Sequence, residues 1–205
     1  MKSLRVGSVV FALIVGSTTL VGCDGGSQPP SSPKAGTDSA AVQDGTKKSL
    51  HDFKMKTIVG EERSLGDYRG KVVLVVNTAS ECGYTPQYAG LEKLHERFEA
   101  KGFSVLGFPS NDYGAQEPGT DAEIATFCTS KFGVKFPMFS KITVKGNDKH
   151  PLYTFLTQAA PAGEVKWNFE KFLVGKEGGV IGRFPSAVEP EDEKLVQAIE
   201  KALGS

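Results

Sequence analysis

Apolar positions along the chain follow two alternating rhythms. Lys71-Val72-Val73-Leu74-Val75-Val76 is an unbroken run rich in β-branched residues, the pattern of a strand buried on both faces. Asn77 to Ser80 reads as a turn. Leu91, Leu94, His95 and Phe98 then recur at i, i+3, i+4 and i+7, the stripe of an amphipathic helix that runs to about Ala100. Phe103 to Phe108 is a second buried strand, closed by Pro109. The stretch Phe108 to Thr120 is a long turn-rich loop. A helix follows from about Thr120 to Phe132, with Asp121 and Glu123 near its start, and a short helix covers Pro151 to Thr157. Trp167 to Val174 and Val180 to Phe184 read as two strands joined through Glu177-Gly178-Gly179. Pro190-Glu191-Asp192-Glu193 opens a C-terminal helix with acids at its positive end. Near the start, Met55 to Ser64 alternates around Val59-Gly60-Glu61 as a hairpin. Strands alternating with helices, with a late hairpin, predict an α/β fold whose central sheet is mixed and flanked by helices.

The first 23 residues stand apart from this pattern. Lys2 and Arg5 precede a short apolar stretch, Val9 to Val15, too short to span a bilayer and suited to a secretory signal. Leu20-Val21-Gly22-Cys23 resembles a bacterial lipoprotein lipobox. That resemblance implies removal of residues 1–22, lipidation of Cys23 as the mature N-terminus, and attachment to a membrane without a spanning segment. The chain would then be an exported lipoprotein of the cell envelope, on the periplasmic side in a Gram-negative cell. The competing reading is an ordinary secretory signal in which Cys23 is incidental. Asp24 resembles the inner-membrane retention signal of enteric bacteria. Residues 23–46, rich in Gly, Ser, Pro, Ala and Asp, read as a lipidated flexible tether, and the folded domain is expected over 47–205.

Composition narrows the function classes. Lys+Arg and Asp+Glu both number 24, so the net charge is zero and nothing points to a nucleic-acid partner. Three cysteines are present. With Cys23 lipidated, Cys82 and Cys128 remain, and in an oxidising compartment they read either as a structural disulfide or as a redox-active pair. There is no CxxC, because Thr85 stands third after Cys82, and no Cys/His cluster of metal-binding type. Cys82 itself lies where the first strand hands over to the first helix. Backbone N–H groups and a helix N-terminus there favour a thiolate, which would make it a nucleophile. On position alone, a buried structural cysteine fits equally well.

Three separated motifs settle between those readings by resemblance. NTASECGYT, FPSNDYGAQEPG and KWNFEKFLV resemble, in order and spacing, the three signatures of the glutathione peroxidases, and the likeness extends from about Leu50 to the C-terminus. It implies a thioredoxin-like fold and reduction of peroxides. Cys82 matches the peroxidatic position, and Gln116, Trp167 and Asn168 match the remaining members of the catalytic tetrad. Cys128 resembles the resolving cysteine of the thioredoxin-dependent, non-selenium members. The chemistry agrees. Reduction of a peroxide needs a thiolate and hydrogen-bond donors for the developing oxyanion. Gln116, Trp167 and Asn168 offer neutral N–H groups. The product is a Cys82 sulfenic acid, which Cys128 could convert to a disulfide for an external dithiol to reduce.

The chain also departs from the family pattern. Ser110 and Asp112 stand where many members carry Cys and Gln, and Tyr113 replaces Phe. The stretch from Thr157 to Lys166 is short, resembling members without the loop used for tetramer contacts, so a monomer with an open site is expected. The arginines that bind glutathione in other members are not recognisable. The expected reductant is therefore thioredoxin-like rather than glutathione, with no bound cofactor or metal. Rival readings are a membrane-tethered thiol–disulfide oxidoreductase, which would normally carry CxxC, and a peroxide sensor that relays oxidation to a partner. A cysteine hydrolase would need a histidine base, and neither His95 nor His150 stands in a context that suits one.

Overall fold

The computed structural model describes residues 48–204. The expected signal, Cys23, the tether and the boundary at Lys47 lie outside the described residues. A hairpin of β1 (Lys54–Lys56) and β2 (Glu62–Ser64) comes first. The main sheet contains β3 (Val72–Thr78), β4 (Phe103–Pro109), β5 (Lys171–Val174) and β6 (Val180–Phe184), in the order β4-β3-β5-β6. β3 runs parallel to β4 and antiparallel to β5, and β5 pairs antiparallel with β6. The helices are α1 (Gln87–Phe98), α2 (Asp121–Phe132), α3 (Pro151–Gln158) and α4 (Glu193–Gly204).

The period of two along β3 divides the interior in two. Val72, Leu74 and Val76 face one core, with the buried faces of α1, α2 and α4. Val73 and Val75 face the other, with α3, the β1–β2 hairpin and the short helical turns near the start. β4 divides likewise, with Phe103 and Val105 on the first side and Leu106 and Phe108 on the second. Residues Val72 to Val76 are wholly buried, and each such aliphatic side chain is worth about 1.5–3 kcal/mol of apolar burial. The unbroken apolar run and the sandwiched strand are thus the same fact. No helix among the described residues is long and apolar enough to cross a membrane.

The elements follow the hydrophobic pattern with two informative differences. β3 continues through Asn77 and Thr78, where a turn is predicted, because both polar residues stay in register with β4 and are fully buried. β5 starts at Lys171, not at Trp167. Trp167 to Phe169 form a bend, and Phe169 adopts a left-handed backbone (φ 64°) that no continuous strand would contain.

Candidate active site

Cys82 lies in a tight turn between β3 and α1 that is cross-braced by Thr85. The Thr85 hydroxyl accepts from the Cys82 N–H (2.9 Å) and donates to the Ala79 carbonyl (2.9 Å), while the Thr85 N–H donates to the Cys82 carbonyl (3.0 Å). The thiol is 7% exposed, and its Sγ accepts from the Tyr84 N–H at 3.4 Å. The backbone donor expected for a thiolate is therefore present. The helix dipole contributes less than the sequence suggests. α1 begins at Gln87, five residues past the cysteine, and the dipole's influence fades beyond the first turn.

Two distant segments are tied to this turn. The Glu81 N–H, next to Cys82, donates to the Gln116 carbonyl at 3.0 Å. Gln116 follows Gly114 and Ala115, both left-handed (φ 65° and 52°), and the loop is held in that shape from several sides. The Glu117 N–H donates to Asn111 Oδ1 (2.8 Å), and Lys141 Nζ donates to the carbonyls of Glu117 (3.1 Å) and Gly119 (2.6 Å). The second segment carries Trp167 and Asn168. It is pinned by Asn77 at the end of β3, a residue to which sequence reasoning gave only a turn. Asn77 Nδ2 donates to the Trp167 carbonyl (3.0 Å), its carbonyl accepts from the Phe169 N–H (2.6 Å), and its Oδ1 accepts from the Glu170 N–H (3.1 Å). A polar residue ending an otherwise apolar, fully buried run was the signal that could have found it.

The side chains then meet. Asn168 Nδ2 donates to Gln116 Oε1 (3.0 Å) and, more loosely, to the Tyr113 carbonyl (3.4 Å). Asn168 is wholly buried and its donors are occupied, so it orients Gln116 rather than facing the thiol. The bond engages the carbonyl end of Gln116 and leaves its NH₂ free to donate. Trp167 is 40% exposed, and its ring leans on Tyr113 with centroids 5.6 Å apart. Its indole N–H has no partner among the described residues. Tyr113, one of the departures from the family pattern, donates its hydroxyl to the Val165 carbonyl, a tie to the loop before Trp167 that phenylalanine could not make. Asp112, another departure, accepts from the N–H groups of Val144 (2.5 Å) and Lys145 (3.3 Å), and so serves structure.

Cys128 is fully buried on α2, in the same apolar core as Cys82, and both are free thiols. Burial pushes the Cys128 thiol up to about 11; the neighbouring Glu117 carboxylate adds to this and the Tyr88 hydroxyl opposes it. The three histidines belong to other parts of the fold. His95 Nδ1 lies 3.5 Å from the Val105 N–H, His150 caps α3 by accepting from the Leu152 N–H (3.2 Å), and His51 belongs to the first helical turn. None offers the base a cysteine hydrolase requires.

Comparisons with known proteins identify the family. A family profile described as glutathione peroxidase matches residues 50–157. The chain is 46% identical over 164 residues to the hydroperoxy fatty acid reductase gpx1 of Synechocystis sp., covering 76% of this chain and 96% of that protein. It is 45% identical over 172 residues to the thioredoxin/glutathione peroxidase BtuE of Escherichia coli, covering 73% and 94%. Among solved structures, Trgpx in its apo form superposes with a TM-score of 0.63 at 42% identity, covering 77% of this chain and 97% of that one. A thiol:disulfide interchange protein of the thioredoxin family from Chlorobium tepidum superposes with a TM-score of 0.56 at 17% identity, covering 74% and 93%, and shares the thioredoxin-like fold alone.

Proposed function

The chain belongs to the glutathione peroxidase family, and from that premise we propose how its own residues run the reaction. It is a thiol peroxidase that reduces hydroperoxides. Cys82 attacks one peroxide oxygen as a thiolate, the O–O bond breaks, and the other oxygen leaves as water or an alcohol. The Gln116 NH₂ and the Trp167 indole N–H donate to the thiolate and the departing oxygen, with Asn168 holding Gln116 in place. Cys82 is left as a sulfenic acid, Cys128 converts it to a Cys82–Cys128 disulfide, and a thioredoxin-like dithiol restores both thiols. Electrons come from that external dithiol, and the cycle needs no resident cofactor.

One observation carries this reading. Three segments far apart in sequence are stitched at the end of β3 by the Glu81–Gln116 backbone bond and the bond from the Asn77 side-chain amide to the Trp167 carbonyl, so that the segments carrying the thiol and the neutral donors share one corner. The half-exposed Trp167 leaves the rim open, which suits bulky lipid hydroperoxides as well as hydrogen peroxide, and the named activity of the Synechocystis relative supports the former. The lipobox-like LVGC supports attachment to a cell-envelope membrane through Cys23.

Turnover of hydrogen peroxide and a fatty acid hydroperoxide, with thioredoxin and glutathione compared as donors, tests the proposal. Cys82→Ser should abolish consumption of both substrates, and residual turnover would remove Cys82 from its role. Cys128→Ser should still form one equivalent of sulfenic acid but cease to cycle with thioredoxin. Unchanged cycling would assign the resolving step to another thiol.

A further inference from the structure

Lys171 is the first residue of β5, stands beside Val76 in the sheet, and is wholly buried. A charge in such a place is tolerated only where its donors are satisfied. An ammonium has three donors and no acceptor, and here each finds an oxygen. Nζ donates to Gln87 Oε1 (2.6 Å) and the Phe169 carbonyl (2.8 Å), and more loosely to the Ser186 carbonyl (3.5 Å). The two close partners lie on opposite sides of the corner that holds Cys82. Phe169 ends the bend that presents Trp167 and Asn168. Its left-handed backbone (φ 64°) is uncommon for an aromatic residue and persists only where the surroundings impose it. Both of its backbone polar groups are held: the N–H donates to the Asn77 carbonyl (2.6 Å), and the carbonyl accepts from Lys171. Gln87, the first residue of α1, is buried, and its side chain is fixed from both ends. Oε1 accepts from Lys171, while Nε2 donates to the Ser186 carbonyl (2.8 Å) and Glu189 Oε1 (3.2 Å). The Gln87 N–H donates to the Tyr84 carbonyl (2.9 Å), and the Tyr84 N–H is the donor that points at Cys82 Sγ (3.4 Å). An unbroken set of bonds thus runs from the cysteine turn, through Gln87 and Lys171, to the bend.

We propose that Lys171 is a positioning residue for peroxide attack: its ammonium locks the Trp167–Phe169 bend to the turn that carries Cys82, and so aims the Trp167 indole N–H at the reacting atoms. The inference rests on the roles assigned to Cys82 and Trp167 above. Lys171 acts at second hand, through Phe169 on one side and Gln87 on the other. Asn77 ties the bend to β3 but does not take the Phe169 carbonyl. Lys171 takes that carbonyl and ties the bend to α1 as well, so the donor and the thiol keep one relative placement.

Trp167 is the only tryptophan, so its emission reports directly on the bend. The test compares the full chain with Lys171→Met, Gln87→Met and the double variant. Each is mixed rapidly with hydrogen peroxide and the Cys82 sulfenic acid is trapped and measured by mass spectrometry. Trp167 emission and its quenching by acrylamide are recorded before mixing. Lys171→Met should keep the native far-ultraviolet circular dichroism, shift the emission to the red and quench more readily. It should oxidise Cys82 at least about tenfold more slowly, because small displacements of a positioned group carry large rate costs. Gln87→Met should also slow oxidation, and the double variant should be no slower than Lys171→Met, since both changes cut one bridge. A native oxidation rate in Lys171→Met, whatever its stability, would overturn the proposal and leave the lysine a purely structural part. Slowed oxidation with unmoved Trp167 emission would overturn it too, as would rate losses that multiply in the double variant. Gln87→Met keeps the ammonium in its seat, so a native rate there decides against the bridge even should Lys171→Met not fold. A native chain that forms no sulfenic acid at Cys82 would instead overturn the peroxidatic assignment beneath it.

Discussion

Cys82 and Cys128 are both buried, Cys82 with a sliver of exposure and Cys128 with none, yet what surrounds each sulfur differs in kind. A backbone N–H points at Cys82, whereas Cys128 has an apolar helix seat that pushes its thiol up to about 11. Lys171 poses the same problem for a cation. It is fully buried, its Nζ donates to Gln87 Oε1 (2.6 Å) and the Phe169 carbonyl (2.8 Å), and desolvation lowers it to about 8. Its folded pKa lies below its unfolded one, so from about pH 8 to the ordinary lysine value the unfolded chain binds more protons and stability rises with pH. The rise is at most about 3 kcal/mol; the Cys128 thiol, raised to about 11, opposes it once pH passes the ordinary thiol value, and the buried tyrosines Tyr88 and Tyr153, whose hydroxyls are raised, oppose it further above about pH 10. Between pH 7.5 and 9.5 the urea midpoint of the native chain should rise relative to that of Lys171→Met, which keeps the opposing Cys128 contribution. An equal increase in the variant would place its origin elsewhere. At this scale the sequence motifs point to the groups proposed to react but not to their supports. Thr85, Asn77 and Asn168's grip on Gln116 depend on which atoms face which, and spacing along a chain carries no such information.

Trp167 is presented by a segment that reads as strand and folds as a bend. Its apolar and aromatic residues satisfy a strand pattern locally, but Asn77 takes the backbone groups of Trp167, Phe169 and Glu170 and turns the chain before the ladder can begin. Arg183 on β6 holds the approach to that bend. It donates to Glu170 Oε1 (2.5 Å) and to the carbonyls of Pro161 (3.1 Å), Gly163 (2.7 Å) and Glu164 (2.8 Å), and Glu170 accepts from the Lys166 N–H (2.7 Å). Glu170 is buried and the Arg183 side chain nearly so. Removing one partner of such a pair costs about 3–5 kcal/mol, because the other charge is stranded. Arg183→Met should lower thermal stability accordingly and slow Cys82 oxidation through a displaced Trp167. The double change Arg183→Met with Glu170→Gln should recover part of the stability and little of the rate. If the single variant oxidises at the native rate, the loop does not position Trp167. The helices and long strands were legible in the sequence because their periodicity reflects burial. The bend was not, because its cause is a side chain ninety residues away.

Across the whole molecule, the alternation read from one apolar run became the division of the interior into two cores, and the predicted mixed sheet is the one observed. The corner where the sheet's central strand ends gathers every residue proposed for peroxide attack, while Cys128, the thiol proposed to resolve, rides on a peripheral helix. These two parts are anchored unequally. All seven residues of β3 are buried between two strands, whereas α2 buries only Ile124 and Cys128 and relies on its Thr120–Glu123 capping box and Gly133 terminus. Local opening costs least where few apolar contacts hold an element down. Amide hydrogens of Val73 to Val76 should therefore exchange only when the whole domain unfolds, and those of α2 through smaller, more frequent openings. Thr120→Ala, which removes a cap worth about 1 kcal/mol, should speed exchange in α2 alone. Uniform exchange protection across both elements would contradict this. Mild denaturant should then uncouple the cycle in a set order: peroxide still oxidises Cys82, while closure of the disulfide falters first, so that a stressed population accumulates as sulfenic acid instead of losing its reactivity.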